Sequence, residues 1–195
     1  GSAVRDLGAV DLVPEIGERL GWPLVVKPAM QGSSLGVRMV TAKEEVPAAL
    51  LSALSYDTHA LFEQFVAGRD LAVAVIGEAD GARALTPVEA IPLRDDYDFE
   101  ARYEIGATRF ACPPELAVEQ VEAAKQLAVD AFTALGCRGV ARVDLIAAAS
   151  GEMTILEIDT IPGLTQTSLV PLAADADGIA FGDLIAKMLE LAVSG

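Results

Sequence analysis

The sequence predicts an α+β fold with mainly antiparallel sheets, and three observations support that class. Short apolar runs rich in β-branched residues outnumber the segments with helical periodicity. Turn-like segments join these runs as often as helices do, whereas parallel neighbours need a helix-length connection. Hydrophobic residues make up 52% of the chain and charged residues 22%, which is enough apolar material for a packed core.

The first third of the chain alternates helix and strand. Pro14 suits the first turn of a helix, and Gly21 suits its end. Thr41 and Glu44 have the spacing of a capping box, which predicts the start of a second helix. The predicted elements are a helix opened by Pro14, strands over 23–28 and 37–40, a glycine and serine loop over 31–36, and a helix that ends near Ser55.

The rest of the chain contains more strands and two long helices. Residues 94–108 are too polar and unpatterned for either element, and a loop of that length in a compact domain is usually functional or disordered. The predicted elements are strands over 59–66, 71–77 and 87–93, a helix introduced by Pro113 and Pro114 and ending at Leu135, a hairpin over 139–147 and 153–160, and a helix over 181–193 with Phe181, Leu184, Ile185, Met188 and Leu191 facing inward.

The chain is strongly acidic, with 14 Lys and Arg against 29 Asp and Glu and a formal net charge of −15. This charge argues against a nucleic-acid partner and against docking on anionic membranes, because both depend on Lys and Arg. No apolar run has the length of a membrane span, and the lone thiols of Cys112 and Cys137 are expected to be reduced. These features together predict a cytoplasmic protein.

The loop over residues 31–36 is a candidate anion site. Gly32, Ser33 and Ser34 allow backbone N–H groups to approach an anion, and the two hydroxyls add donors. Lys27, at the end of the preceding strand, supplies a positive charge for phosphate. A plain glycine-rich hairpin explains the same residues, so both interpretations stay open.

The C-terminal hairpin is a candidate metal site. Arg142 and Asp144 are two apart on one strand, so their side chains share a face, and Glu157 and Asp159 do the same on the next strand. A two-residue turn at 149–150 would set Arg142 opposite Glu157 and bring all four side chains to one face. Three carboxylates this close repel one another unless a cation joins them, and oxygen ligands suit Mg²⁺ or Mn²⁺. The alternative is a solvated strand face with alternating charge.

The turn over residues 161–168 is a third candidate, because it leads into a helix that begins near Ser168. Free N–H groups at a helix N-terminus bind carboxylate or phosphate. An ordinary capped turn is the alternative interpretation.

Five motifs indicate a resemblance to a known family. They are VVKPAMQGSSLGV, LFEQFVAGRDLAVAV, DYDFEARY, GVARVDL and LEIDTIPGLTQTSLVP, and they occur in the order and spacing of the D-alanine–D-alanine ligases. From about Leu20 to its C-terminus, the chain resembles the ATP-grasp portion of these enzymes. The resemblance implies a smaller lobe over residues 1–65, a larger lobe over 66–195, and a nucleotide cleft between them.

The activity implied by the resemblance is ATP-dependent ligation of two D-alanines for peptidoglycan precursor synthesis. One carboxylate is phosphorylated, and the amine of the second D-alanine attacks the acyl phosphate. ATP is then a substrate, two Mg²⁺ (or Mn²⁺) ions are the cofactors, and the full-length protein is compatible with a homodimer. Two alternatives stay open, namely an ATP-grasp ligase with D-lactate or another amino acid as second substrate, and an ATP-binding fragment that is inactive by itself.

The resemblance also implies a nucleotide site. Lys27 would contact the phosphates and adenine, Glu63 would accept from the adenine amino group, and Arg102 would stand near the γ-phosphate in a mobile loop over 94–108. The remaining implied contacts are the phosphate loop of Gly32, Ser33 and Ser34, the backbone of Phe65 and Val66 at the ring edge, and Asp70 on the ribose.

Catalytic and second-substrate residues follow from the same resemblance. Arg142 and the backbone N–H of Gly163 would stabilise the tetrahedral oxyanion, and Tyr103 would be linked to Ser33. Tyrosine at this position is associated in the family with an amino acid as second substrate. The remaining implied roles are Asp144, Glu157 and Asp159 as ligands of two Mg²⁺ ions, and Ser168 and Leu169 as contacts of the second carboxylate.

The sequence departs from the family pattern in single residues and in length. The substituted positions are Gln31 for glutamate, Asp70 for glutamate, Arg102 for lysine and Asp159 for asparagine. The family's N-terminal domain, which holds the site of the first D-alanine, is expected to be missing from this chain. The start at Gly1 and Ser2 is typical of the residues left after tag removal, so a trimmed chain is expected.

Overall fold

The computed structural model describes residues 9–78, 81–92 and 108–193, and these form two compact units. The first unit contains the described residues up to Val66, and the second contains those from Ala67 onward. Every strand pairing among the described residues is antiparallel, and helices pack against the sheets. The predicted α+β class with antiparallel sheets is therefore confirmed.

The first unit is a three-stranded sheet with helices and one buried cluster. Its elements are helix α1 (Ala9–Leu20), strands β1 (Leu24–Pro28) and β2 (Arg38–Val40), a short 3-10 helix (Lys43–Glu45), helix α2 (Val46–Leu54) and strand β3 (Ala60–Gln64). The strand order is β2-β1-β3. Leu24 and Val26 of β1 are fully buried in the cluster, so alternation places Val25 and Lys27 on the opposite face of the sheet.

The start of the second helix differs from the prediction. The backbone N–H of Thr41 donates to Glu45 Oε2 at 2.8 Å, so the side chain that reaches back belongs to Glu45 and not to Glu44. The 3-10 turn over Lys43–Glu45 accounts for the shift, because it separates Thr41 from the first α-helical turn at Val46.

The second unit is built on a six-stranded sheet. Its elements are β4 (Arg69–Glu78), β5 (Gly81–Ala84), β6 (Val88–Pro92), β7 (Thr108–Ala111), helix α3 (Val118–Ala134), β8 (Val140–Ala147), β9 (Met153–Asp159), and helices α4 (Leu169–Ala176) and α5 (Phe181–Val193). The strand order is β7-β6-β4-β8-β9, with β5 paired to β4. The predicted helix after Pro113 and Pro114 begins only at Val118.

Both faces of this sheet are covered by apolar clusters. Val73 and Val75 of β4 pack with Phe132 of α3 on one face. Ala74, one residue along the strand, packs with Leu184 of α5 on the other face. The double burial explains why β4 appears in the sequence as a nearly continuous apolar run.

The helices confirm the predicted inward stripe of α5 in part. Leu184 is fully buried in the second apolar cluster, with Met188 and Leu191 packed against it, whereas Phe181 is 38% exposed. Among the described residues, no helix has both the length and the apolar character needed to cross a bilayer. Cys112 and Cys137 are free cysteines, as predicted.

Leu184 is expected to be a major contributor to the stability of the second unit. Leu184→Ala would leave a cavity in a fully buried cluster and lower the free energy of unfolding by about 2–5 kcal/mol. Leu189→Ala, on the same helix but with a side chain 64% exposed, should change it by no more than about 0.5 kcal/mol. Urea unfolding followed by circular dichroism measures both values. Equal losses in the two variants would contradict this view of the packing.

Candidate active site

Strands β8 and β9 bring a buried arginine and three carboxylates to one face of the larger sheet. Arg142 Nε donates to Asp144 Oδ1 at 2.7 Å, and its NH2 group donates to Asp144 Oδ2 at 2.9 Å. The same NH2 group lies 3.5 Å from Asp159 Oδ2. Only 12% of the Arg142 and Asp144 side chains is exposed. The fourth residue, Glu157, is paired directly with Asp144 across the two strands.

The register of this hairpin corrects the sequence prediction. Arg142 pairs with Asp159, not with Glu157. The turn also has three residues rather than two, because Ala148 N–H donates to Glu152 O at 2.9 Å and encloses residues 149–151. Gly151 has φ +91°, the left-handed conformation that ends many three-residue hairpin loops.

A β-bulge restores the shared face that the three-residue turn would remove. On the turn side, Leu145 pairs with Ile155, and an unbroken ladder would continue by pairing Asp144 with Leu156. Glu157 would then point to the opposite face. The ladder instead shifts between Asp144 and Leu145, so that Leu156 is the extra residue and Glu157 comes opposite Asp144. The predicted clustering is thus correct, and the predicted turn is wrong.

Strand β4 provides the space that the arginine occupies. Ala72 pairs with Asp144 and Ala74 pairs with Arg142, so each long polar side chain has a methyl group as its cross-strand neighbour. Burial would lower the pKa of the Arg142 guanidinium. Its hydrogen bonds to Asp144 and the negative charges of Asp144, Asp159 and Glu157 outweigh this effect and raise that pKa above its usual range. Arg142 is therefore a permanent cation held among anions.

The chemistry of the donor set fits a divalent cation that prefers oxygen. Asp144, Glu157 and Asp159 supply carboxylates only, as Mg²⁺ and Mn²⁺ prefer. Among the described residues, no three His, Cys, Asp or Glu side chains are arranged to hold a metal ion, and both Asp144 oxygens accept hydrogen bonds from Arg142. A metal ion bound here would share the Asp144 carboxylate with Arg142, because each carboxylate oxygen can accept a second contact.

The turn after β9 brings Gly163 and Ser168 together. A Cβ on Gly163 would lie 3.0 Å from Ser168 Oγ, so only glycine permits this approach without movement of the neighbour. Ser168 Oγ accepts from Thr165 N–H at 3.1 Å and lies 2.8 Å from Thr165 Oγ1. Ser168 is the N-cap of α4, yet its side chain makes no capping hydrogen bond. The first N–H groups of the helix, at Leu169 and Val170, therefore lack a side-chain cap.

Two of the predicted nucleotide residues in the first unit form an ion pair. Lys27 Nζ lies 2.9 Å from Glu63 Oε2. Strands β1 and β3 create this contact, because Val25 pairs with Glu63 and Lys27 follows two residues later on the same face. Phe65 N–H donates to Pro23 O at 3.1 Å, so its amide is already bound within the first unit.

The predicted phosphate loop, residues 31–36, is a tight left-handed turn. Ser33 and Ser34 both have φ +57°, and Leu35 N–H donates to Gly32 O at 3.2 Å. Positive φ values at both central residues are typical of a type I′ turn, which glycine and asparagine normally occupy. Two serines in this conformation indicate that the surrounding structure holds the loop in place.

The remaining predicted residues are distributed over both units. Asp70 lies in β4, paired with Ala90 and Ile146, and alternation places it on the sheet face of Asp144. Val66 is half-buried at the end of the first unit. Arg102 and Tyr103 lie outside the described residues. So does the predicted loop over 94–108, except for Thr108, which begins strand β7 and not a loop. Sequence reasoning missed the Thr165 contact with Ser168, although their three-residue spacing before a helix is a signal for it.

Solved structures with the same architecture identify the class of protein. The VanG D-Ala:D-Ser ligase of Enterococcus faecalis superimposes with a TM-score of 0.83 at 30% identity, covering 95% of this chain and 54% of that protein. The D-alanine–D-alanine ligase of Bacillus anthracis complexed with ATP superimposes with a TM-score of 0.72 at 28% identity. The match covers 91% of this chain and 53% of the Bacillus anthracis chain. The chain therefore has the ATP-grasp fold.

Sequence comparison defines the family within that class. The family profile described as D-ala D-ala ligase C-terminus matches residues 5–190. The D-alanine–D-alanine ligase of Pelotomaculum thermopropionicum is 44% identical over 174 residues, which are 89% of this chain and 54% of that protein. The chain belongs to the D-ala D-ala ligase C-terminus family. It spans about half the length of the curated relatives that it matches.

Proposed function

We propose that the chain is the ATP-grasp part of an enzyme that joins two D-alanines for peptidoglycan precursor synthesis. The observation that supports this most directly is Arg142 held among Asp144, Glu157 and Asp159 on one sheet face. A buried arginine beside three carboxylates suits a reaction in which negative charge develops next to metal-bound phosphate. Simple nucleotide binding would not need such a group.

In the proposed reaction, the carboxylate of the first D-alanine attacks the γ-phosphorus of ATP, and ADP leaves. The amine of the second D-alanine then attacks the carbonyl carbon of the acyl phosphate. The ammonium group of the second D-alanine loses one proton before its amine attacks. The tetrahedral intermediate then expels inorganic phosphate, and the same nitrogen loses a second proton as the amide forms. The residues of this chain bind, orient and neutralise charge in both steps.

For the nucleotide, we propose that different residues contact the phosphates, the adenine ring and the ribose. Lys27 would contact the phosphates and adenine, and Glu63 the adenine amino group. Strand pairing places both side chains on one sheet face, where they form a 2.9 Å ion pair. The backbone of the phosphate loop would hold the β- and γ-phosphates. The other proposed contacts are Phe65 and Val66 at the ring edge, Asp70 on the ribose, Arg102 near the γ-phosphate, and Tyr103 linked to Ser33.

For the chemical steps, we propose that Arg142 and the N–H of Gly163 stabilise the oxyanion of the tetrahedral intermediate. Asp144, Glu157 and Asp159 would hold Mg²⁺ (or Mn²⁺), which neutralises phosphate charge when it is bound. The uncapped N–H of Leu169 and the hydroxyl of Ser168 would bind the carboxylate of the second D-alanine. The residues that we propose to be catalytic are Ser33, Tyr103, Arg142 and Gly163.

We further propose that residues 1–65 and 66–195 are the smaller and larger ATP-grasp lobes. The net charge of −15 supports a protein without a nucleic-acid or membrane partner. A cytoplasmic location and a homodimer of the full-length protein stay predictions.

Binding of MgATP to Lys27 variants tests the proposal. Lys27→Ala removes a charge-assisted hydrogen bond worth about 1.5–3 kcal/mol, so the affinity should fall by on the order of ten- to a hundredfold. Lys43→Ala is the matched control, because Lys43 has the same charge, lies in the same unit and has a side chain 69% exposed. Titration calorimetry gives both dissociation constants. Equal affinities in the two variants would remove Lys27 from the site.

A further inference from the structure

A short segment after helix α2 holds the phosphate loop at its base. We call residues 56–59 the anchor segment. Ala29 N–H donates to His59 O at 3.0 Å, Met30 N–H donates to Asp57 Oδ2 at 2.7 Å, and Gln31 Nε2 donates to Tyr56 O at 3.0 Å. Ala29 and Met30, which precede the loop, and Gln31, its first residue, are thus bound to one segment. Of these three hydrogen bonds, only the one to Asp57 has a side chain as the acceptor and a backbone N–H, that of Met30, as the donor.

The Asp57 carboxylate connects two pieces of backbone. Its Oδ2 accepts from Met30, while its Oδ1 accepts from Thr58 N–H and from His59 N–H, the latter at 3.2 Å. Desolvation would raise the pKa of Asp57, but the backbone hydrogen bonds from Met30, His59 and Thr58 outweigh it and lower that pKa. The ionised carboxylate is therefore the form that joins the loop base to the anchor segment.

The far end of the loop also rests on the anchor segment. A Cβ on Gly36 would lie 2.8 Å from Cδ2 of Tyr56 and 3.0 Å from Cγ of Pro28. Gly36 itself has φ +72°, so the chain leaves the loop in a left-handed conformation. Between these two contacts lie Ser33 and Ser34, which also have left-handed backbones. A loop held at both ends can keep its N–H groups in an arrangement that would otherwise relax.

From these contacts we infer that Asp57 is a positioning residue for phosphate binding. It would fix Met30 and thereby set the conformation in which residues 31–36 receive the phosphates, although its own hydrogen bonds go to backbone outside that loop. The inference rests on the proposed function. The inference applies to phosphate binding and not to adenine binding. Lys27 and Glu63 lie on paired strands, so their contact with adenine would not depend on Asp57.

The test compares a ligand that has phosphates with one that lacks them. In Asp57→Ala the dissociation constant of MgATP should rise about tenfold, and that of adenosine by less than twofold. Asp57→Asn keeps one acceptor oxygen and should fall between the wild type and Asp57→Ala. Glu45→Ala is the control, because Glu45 also accepts from a backbone N–H, that of Thr41 at 2.8 Å, in the same unit. It should leave both constants unchanged.

Hydrogen exchange provides a readout that needs no nucleotide. Peptides covering residues 29–36 should exchange faster in Asp57→Ala than in Glu45→Ala. The N–H groups of Thr58 and His59, which Asp57 also binds, should exchange faster too, with the rest of the chain unchanged. Equal losses for MgATP and adenosine, or unchanged loop exchange, would overturn the role of Asp57. A wild-type chain that binds MgATP no more tightly than adenosine would instead overturn the proposed function, and hydrogen exchange alone would then decide whether Asp57 holds the loop.

Discussion

Replacing Arg142 by methionine is expected to lower the free energy of unfolding of the chain by about 3–5 kcal/mol. Arg142 donates two hydrogen bonds to Asp144 and pairs with Asp159, and only 12% of its side chain is exposed. Methionine keeps much of the side-chain volume, so the loss would come from carboxylates left without their cation. Urea unfolding of the wild type and the variant measures the difference.

Two further measurements separate charge from packing in this variant. Lowering the pH neutralises the carboxylates, so the folded variant binds protons more readily than the unfolded chain, and its stability deficit should shrink as the pH falls. Added Mg²⁺ should raise the midpoint of thermal unfolding more in Arg142→Met than in the wild type, because Arg142 no longer occupies Asp144. Arg109→Met is the control, since its ion pair with Glu115 is half-exposed and worth about 0–1 kcal/mol. Losses that are equal at every pH would contradict an electrostatic origin.

The 195 residues alone are expected to make D-alanyl-D-alanine far more slowly than a chain that also contains the N-terminal part of a relative. The chain matches 54% of the Pelotomaculum thermopropionicum ligase, and the family resemblance puts the first D-alanine in the part that it does not match. Without a bound first substrate, the phosphoryl transfer loses the advantage of two oriented partners. Such a loss amounts to roughly 7–11 kcal/mol in activation free energy.

Fusing the N-terminal part of that relative to this chain tests the prediction. Phosphate release with ATP and D-alanine should be negligible for the 195 residues and measurable for the fusion. D-serine and D-lactate as second substrates distinguish the proposed reaction from its alternatives, and one of the solved neighbours is itself a D-Ala:D-Ser ligase. Comparable turnover by the short chain would show that both substrates bind within these residues. The same fusion carrying Arg142→Met is the inactive control.

Most of the fold could be predicted because local pattern and tertiary burial agree. Helix α5 has the predicted bounds, since Leu184, Met188 and Leu191 recur at helical spacing and pack into one cluster. Strand β4 is buried on both faces, and its continuous apolar run over residues 71–76 is the expected signature.

Two strands escaped prediction for a physical reason. Gly81–Ala84 and Thr108–Ala111 have few β-branched residues and half-exposed patterns, so neither has a strong intrinsic preference for a strand. They are strands because β4 and β6 offer unpaired edges next to them. Such pairing is a property of the assembled sheet and not of the segment.

The candidate site shows most clearly which features follow from local sequence and which follow from the assembled sheet. The sequence by itself determined that Arg142 and Asp144 share one strand face, because side chains alternate along any strand. Only the tertiary structure decided that Asp159, and not Glu157, lies opposite Arg142. The reason is that the register depends on a three-residue turn and on the extra residue Leu156, whose effects on the alternation cancel. Turn length and bulge position are set by how β9 fits against the whole of β8, and no local pattern in either strand encodes that fit.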